Sequence, residues 1–97
     1  DLETAADVVT LSRIINAGQS CIAAKRIIVE AEIYDHFVEL LLNRLKKLQM
    51  GDPLQPSTDI GPIARKDLQL NLHRQVEDTV AAGAKCFVRK PLGQLWR

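Results

Sequence analysis

The run Ile27-Ile28-Val29 constrains this chain more than any other stretch. It is β-branched and continuous instead of alternating, and it lies between Lys25-Arg26 and Glu30. Branched side chains favour strands, and an unbroken apolar run suits a strand covered on both faces, as in parallel sheets. Such a strand needs neighbours along its edges and a layer on each side. With 97 residues the chain forms one small domain at most.

The flanking patterns are helical. Asp1 to about Asn16 places Leu2, Ala5, Ala6 and Val9 on one face and Val8, Leu11 and Ile15 on the next. Asp1, Glu3 and Asp7 lie near its start, where the helix dipole favours acids, and Gly18 is its natural stop. Glu32 to about Leu48 is a second helix, striped by Phe37, Leu41, Leu45 and Leu48 with Val38 and Leu42 beside them. Arg44, Lys46 and Lys47 fall in its last turns. Gly51-Asp52-Pro53 and Pro56-Ser57-Thr58 make a loop ending at Gly61-Pro62. A third helix runs from about Arg65 to Ala82 with Leu68, Leu72, Val76 and Val80 in register, and Gly83 closes it. Lys25–Glu30 and Ala84–Val88 read as strands, so the fold class is α/β, a parallel or mixed sheet with packed helices. Two or three strands cannot cover Ile27-Ile28-Val29 by themselves. The chain therefore reads as a slice of a larger α/β domain, or as a unit that associates.

Charge and composition exclude several functions. The formal net charge is +1, with acids and bases interspersed and no basic stripe interleaved with aromatics, so no nucleic-acid partner is expected. Apolar runs are too short and interrupted to span a bilayer, no secretory signal pattern is visible, and a cytoplasmic setting is the default. Two cysteines make neither a metal site nor a disulfide framework, which leaves two free thiols.

Cys21 is the candidate for chemistry. It sits on the loop Asn16-Ala17-Gly18-Gln19-Ser20-Cys21, between a helical and a strand pattern. A free cysteine is most simply a small buried hydrophobe. Against that, Gly18 permits a sharp turn, Ile22-Ala23-Ala24 can open a helical turn whose amides favour a thiolate, and Lys25 and Arg26 add positive charge. The Cys21 N–H can also donate to an oxyanion formed when its thiolate attacks a carbonyl. His36 and His73 are the only histidines and read as surface or interface residues; a thiol enzyme pairing Cys21 with either has no spacing to support it. Cys86 reads as a core residue of its strand. Asp52 and Asp59 match no metal loop, and Lys46-Lys47 and Arg65-Lys66 read as solvated helix charges.

These residues resemble the NAD(P)-dependent aldehyde dehydrogenase superfamily. Its cysteine signature, roughly aromatic-x-Asn-x-Gly-Gln-x-Cys-x-Ala-x-x-Arg, is matched at Asn16, Gly18, Gln19, Cys21, Ala23 and Arg26, with Ile14 in place of the aromatic. Tyr34-Asp35-x-Phe37, Gly51-Asp52-Pro53, Thr58 to Pro62 and Gly83-Ala84-Lys85 follow in the family's order and spacing. The resemblance implies that residues 1–89 are part of the catalytic domain and that 90–97, which holds Trp96, is an atypical tail. A truncated or frame-shifted gene product fits that departure. Cys21 would attack a small aldehyde to give a thiohemiacetal, hydride would pass to NAD or NADP, and water would hydrolyse the thioester. The parent would be a homo-oligomer.

The family's glutamate base, its oxyanion asparagine and its glycine-containing cofactor loop would precede this segment, and a Glu-x-Phe-Gly-Pro segment would follow it. The chain alone is thus expected to hold no dinucleotide and to be inactive, or to serve only as a structural or interaction module. Cys21 to Arg26, Gly61 to Leu68 and His73 to Glu77 look most like bacterial succinate-semialdehyde dehydrogenases. Better-known members of that activity carry an arginine for the substrate carboxylate directly before the signature's asparagine, where this chain has Ile15.

Overall fold

The computed structural model describes residues 1–88; the tail 90–97, with Trp96, lies outside the described residues. Helix α1 spans Leu2–Ile14. The Asp1 carboxylate accepts the Thr4 amide at 3.2 Å and the Thr4 hydroxyl at 2.7 Å, so an otherwise orphaned N–H of the first turn is satisfied. Of the two apolar faces read from the sequence, the one bearing Ala6 and Thr10 is buried, while Val8, Leu11 and Ile15 on the other stay exposed. The small Ala6 side chain lets a neighbour approach closely there, and the Thr10 hydroxyl satisfies itself on the Ala6 carbonyl at 2.7 Å.

Helix α2 spans Tyr34–Lys47 and is entered through a 3-10 turn at Ala31–Ile33. It packs on α1, and Arg44 fastens the pair. The Arg44 guanidinium donates to the Glu3 carboxylate at 2.6 Å, to the Asp7 carboxylate, and to the main-chain carbonyls of Glu3 and Leu40 at 3.1 Å. Glu3 and Asp7 are one turn apart on α1, so a single planar donor spans both. That hydrogen bonding holds the Asp7 carboxyl below its ordinary range, and its bond to Asp7, then that to Glu3, raises Arg44. Phe37, on the expected stripe of α2, is buried at 5% exposure.

Helix α3 spans Lys66–Ala81, behind Arg65, whose guanidinium pairs with Asp67 at 2.8 Å. Among the described residues it packs on neither α1 nor α2, and Leu68, Leu72 and Val80 of its stripe remain exposed. The connection back to α2 is a clamp. The Gln49 carbonyl accepts the amides of Asp59 and Ile60 at 2.9 and 3.1 Å, the Ile60 carbonyl accepts the Gly51 amide at 3.1 Å, and the Asp59 carboxylate accepts the Gln49 amide at 2.8 Å. Met50 and Ile60 form an isolated parallel bridge inside it. The glycine, proline and aspartate motifs at 51–53 and 58–62 thus close a loop and place the start of α3.

The sheet expected from Lys25–Glu30 and Ala84–Val88 is not formed: neither segment carries a ladder among the described residues. A strand exists only through backbone partners about 4.8 Å away, and these two segments line one apolar groove without bonding each other. The groove, about 300 Å³, runs along α2 between Ile27, Val29, Phe37, Leu41, Phe87 and Val88. Ile27 and Val29 lie against it, while Ile28 is 96% exposed. A run suited to cover on two faces has cover on one. No helix of the described residues is long and apolar enough to cross a membrane.

Candidate functional site

The loop between α1 and residue 24 is built from strained backbone held by local ties. After α1 a short 3-10 stretch, Ile15–Gly18, contains three successive left-handed residues: Asn16 at φ +51, Ala17 at φ +56 and Gly18 at φ +76. Glycine adopts that region freely and asparagine tolerates it, but alanine there costs about 1–2 kcal/mol. Strain of this kind concentrates where a segment must present something in a set direction.

Four ties hold the loop. The Ala24 amide donates to the Ser12 carbonyl at 3.1 Å, and Arg13 Nη1 donates to the Ala24 carbonyl at 2.9 Å, so both ends meet at the last turns of α1. Lys25 Nζ donates to the carbonyls of Ser20, Cys21 and Ala23 at 3.3, 3.4 and 3.2 Å. Gln19 Oε1 accepts the Ala64 amide at 2.8 Å. Gly18 is confined as well as bent: a Cβ there would meet Arg13 Nη2 at 2.9 Å and the Arg13 carbonyl oxygen at 3.3 Å.

Cys21 occupies the corner of a turn closed by the Ala23 amide on the Ser20 carbonyl at 3.1 Å. Ser20 suits the first position of such a turn. The turn does not continue into a helix, which corrects the expected helical turn at Ile22-Ala23-Ala24; the chain instead runs on to pair Ala24 with Ser12. Positive charge at the turn comes instead from Lys25, folded back onto its main-chain carbonyls. Cys21 is exposed, and among the described residues its amide donates to no acceptor.

Cys86 was expected to pack in a strand and is exposed, because the segment that carries it has no ladder partner. His36 is exposed in the first turn of α2, and His73 is half-buried in the middle of α3. No group of three or more His, Cys, Asp or Glu side chains among the described residues could hold a metal. Each helix opens on acids, at Asp1 and Glu3, at Glu32 and Asp35, and at Asp67, and the one arginine at such an end, Arg65, is taken by Asp67. Exposed apolar side chains, Ile15 and Ile22, lie on either side of the cysteine turn. Arg13, the folded-back Lys25 and the Gln19–Ala64 bond were not singled out by the sequence reading as ties; only the left-handed tolerance of Asn16 and Gly18 was there to be read.

The aldehyde dehydrogenase family model matches residues 1–94. A succinate-semialdehyde dehydrogenase [NADP(+)] 1 from Mycobacterium tuberculosis (strain ATCC 25618 / H37Rv) is 49% identical over 84 residues, covering 87% of this chain and 18% of that protein. The succinate-semialdehyde dehydrogenase [NADP(+)] of Mycobacterium leprae is 44% identical over 93 residues, covering 94% of this chain and 20% of that protein. The chain therefore spans about a fifth of the length of these curated relatives. The solved aldehyde dehydrogenase of Brucella melitensis biovar abortus 2308 superposes with a TM-score of 0.90 at 37% identity, over 99% of this chain and 20% of that one. An NADP-dependent enzyme of E. coli superposes at 0.86 and 32% identity, over 91% of this chain and 18% of that one.

Proposed function

The chain belongs to the aldehyde dehydrogenase family, and from that premise we propose that Cys21 is the nucleophile of a cytoplasmic enzyme oxidising an aldehyde to an acid with NAD(P), NADP being favoured. The observation that carries the reading is the turn geometry: Cys21 is exposed, with its amide committed to no acceptor among the described residues, at the corner of a strained, tied loop. The thiolate attacks the aldehyde carbon, a C–S bond forms, and the carbonyl oxygen takes up the electron pair. That oxygen develops beside the Cys21 N–H, which is fixed before the attack and so needs no reorganisation. Lys25, folded over the same turn, favours the negative charge. The resemblance places the groups that would hold the nucleotide, activate water and complete the oxyanion site outside this segment.

Succinate semialdehyde is the proposed substrate, supported by the names of the mycobacterial relatives. Residues 1–89 are proposed as part of the catalytic domain and 90–97 as a tail that departs from it. Aldehyde-dependent NADPH formation by the enzyme carrying this segment, across a panel of aldehydes, tests the proposal. The Cys21→Ala substitution should abolish it, and undiminished turnover would sink the mechanism. A homo-oligomer is proposed for that enzyme. A second reading, the chain alone as an interaction module, is favoured by the open groove along α2; a monomeric chain in light scattering would count against it.

A further inference from the structure

Gln19 has a place in the loop that differs from every other tie. The bonds at Ser12, Arg13 and Lys25 all connect residues 12 to 25 among themselves, whereas Gln19 reaches 45 residues along the chain to Ala64. Ala64 follows the clamp formed by Gln49, Gly51, Asp59 and Ile60, and the clamp is joined through Leu48 to the end of α2. Gln19 is two residues from Cys21 and immediately precedes Ser20, whose carbonyl closes the cysteine turn. Rotation of the turn about the pinned ends at Ser12 and Ala24 is opposed from within the loop by Lys25 and, from the rest of the chain, by one side-chain carbonyl, that of Gln19.

We propose that Gln19 is a positioning residue: by accepting the Ala64 amide it sets the orientation of the turn, so that the Cys21 N–H points where an oxyanion forms. This rests on the reading of Cys21 as the nucleophile. Gln19 touches no reacting atom; it acts through Ser20 and Cys21. The consequence separates two reactions of the same thiol. Attack on an activated ester forms a C–S bond and a tetrahedral oxyanion, then breaks the C–O bond to release the phenolate while the thiol proton passes to water. Alkylation by iodoacetamide forms the C–S bond as iodide leaves and develops no oxyanion. Loss of orientation slows the first reaction and spares the second.

The full chain, with Cys86→Ser to leave one thiol, is compared with its Gln19→Ala and Gln19→Glu variants. p-Nitrophenyl acetate and iodoacetamide are the probes, and amide hydrogen exchange is followed at Ala64. Gln19→Ala should speed Ala64 exchange about fivefold, the factor of one net hydrogen bond, and lower the ratio of acylation to alkylation by about tenfold. Gln19→Glu keeps an acceptor oxygen at the same reach and should restore both. Unchanged Ala64 exchange in Gln19→Ala, or an equal change in acylation and alkylation, overturns the proposal. A parent chain whose ratio matches that of the same chain in urea overturns the nucleophile reading, and with it the oxyanion role of Gln19. Slow Ala64 exchange in that chain would still show the tie itself, so the two failures are distinguishable.

Discussion

Replacing Gly18 with alanine tests whether the loop is held as described. Gly18 sits at φ +76, where a Cβ costs about 1–2 kcal/mol. The new Cβ would lie 3.3 Å from the Arg13 carbonyl oxygen and 2.9 Å from Arg13 Nη2. The guanidinium is the flexible partner and would swing away, but through Nη1 it donates to the Ala24 carbonyl at 2.9 Å. A hydrogen bond from a charged donor contributes about 1.5–3 kcal/mol net, and partial loss of it adds about 1 kcal/mol. The stiffer unfolded chain returns about 0.4–1 kcal/mol. Closure of the loop should therefore weaken by about 1–2 kcal/mol, roughly five- to thirtyfold in the opening equilibrium. The Ala24 amide, bonded to Ser12 across the loop, is the reporter, and its hydrogen exchange should accelerate by that factor. Ala17→Gly is the opposite perturbation: it relieves an alanine at φ +56 and should leave that exchange unchanged or slow it a few-fold. Equal exchange in Gly18→Ala and the parent would refute the account, as would Ala17→Gly proving the more damaging of the two.

The α1–α2 pair should be acid-labile. Asp7 is held below its ordinary value of 3.8 by its hydrogen bond to Arg44, so its contribution is full above that value and is lost as pH falls through the lower folded one. Helical ellipticity followed from pH 6 downward should show this loss below the ordinary carboxylate range, and Arg44→Met should remove the step. Asp59→Ala should open the clamp at a cost of about 1 kcal/mol, read as faster exchange of the Gln49 amide, with α1 and α2 unaffected.

What was legible in the sequence was local. The bounds of α1, α2 and α3 follow from side chains three and four residues apart and fall within two residues of the observed ends. The cysteine loop was legible for a similar reason: Asn16 and Gly18 are residues that accept left-handed backbone, and both adopt it there. Ala17 gave no such signal, since nothing in an alanine marks it for φ +56. Ile27-Ile28-Val29 and Ala84–Val88 have strand composition, but a ladder depends on backbone partners that composition does not supply. The exposure of Cys86 follows from that missing ladder. The Gln19–Ala64 bond was invisible because its partners are 45 residues apart and one of them is a backbone amide, which every residue but proline carries.

The same distinction explains why the cysteine loop is formed here while the strand beside it is not. Ser12, Arg13, Ala24 and Lys25 close the loop within a span of residues 12 to 25, so all of its ties but the Gln19–Ala64 bond are made by its own neighbours. Loop-closure entropy for so short a span is small and is offset locally, including the strain at Asn16 and Ala17. The strand run has no such local solution. Ile27 and Val29 find α2, Ile28 finds nothing, and no rearrangement within residues 25–30 can cover both faces at once. The loop that carries Cys21 is formed without a ladder at residues 25–30. The geometry around Cys21 can therefore be tested in this chain through exchange at Ala24 and Ala64, apart from whether any aldehyde is turned over.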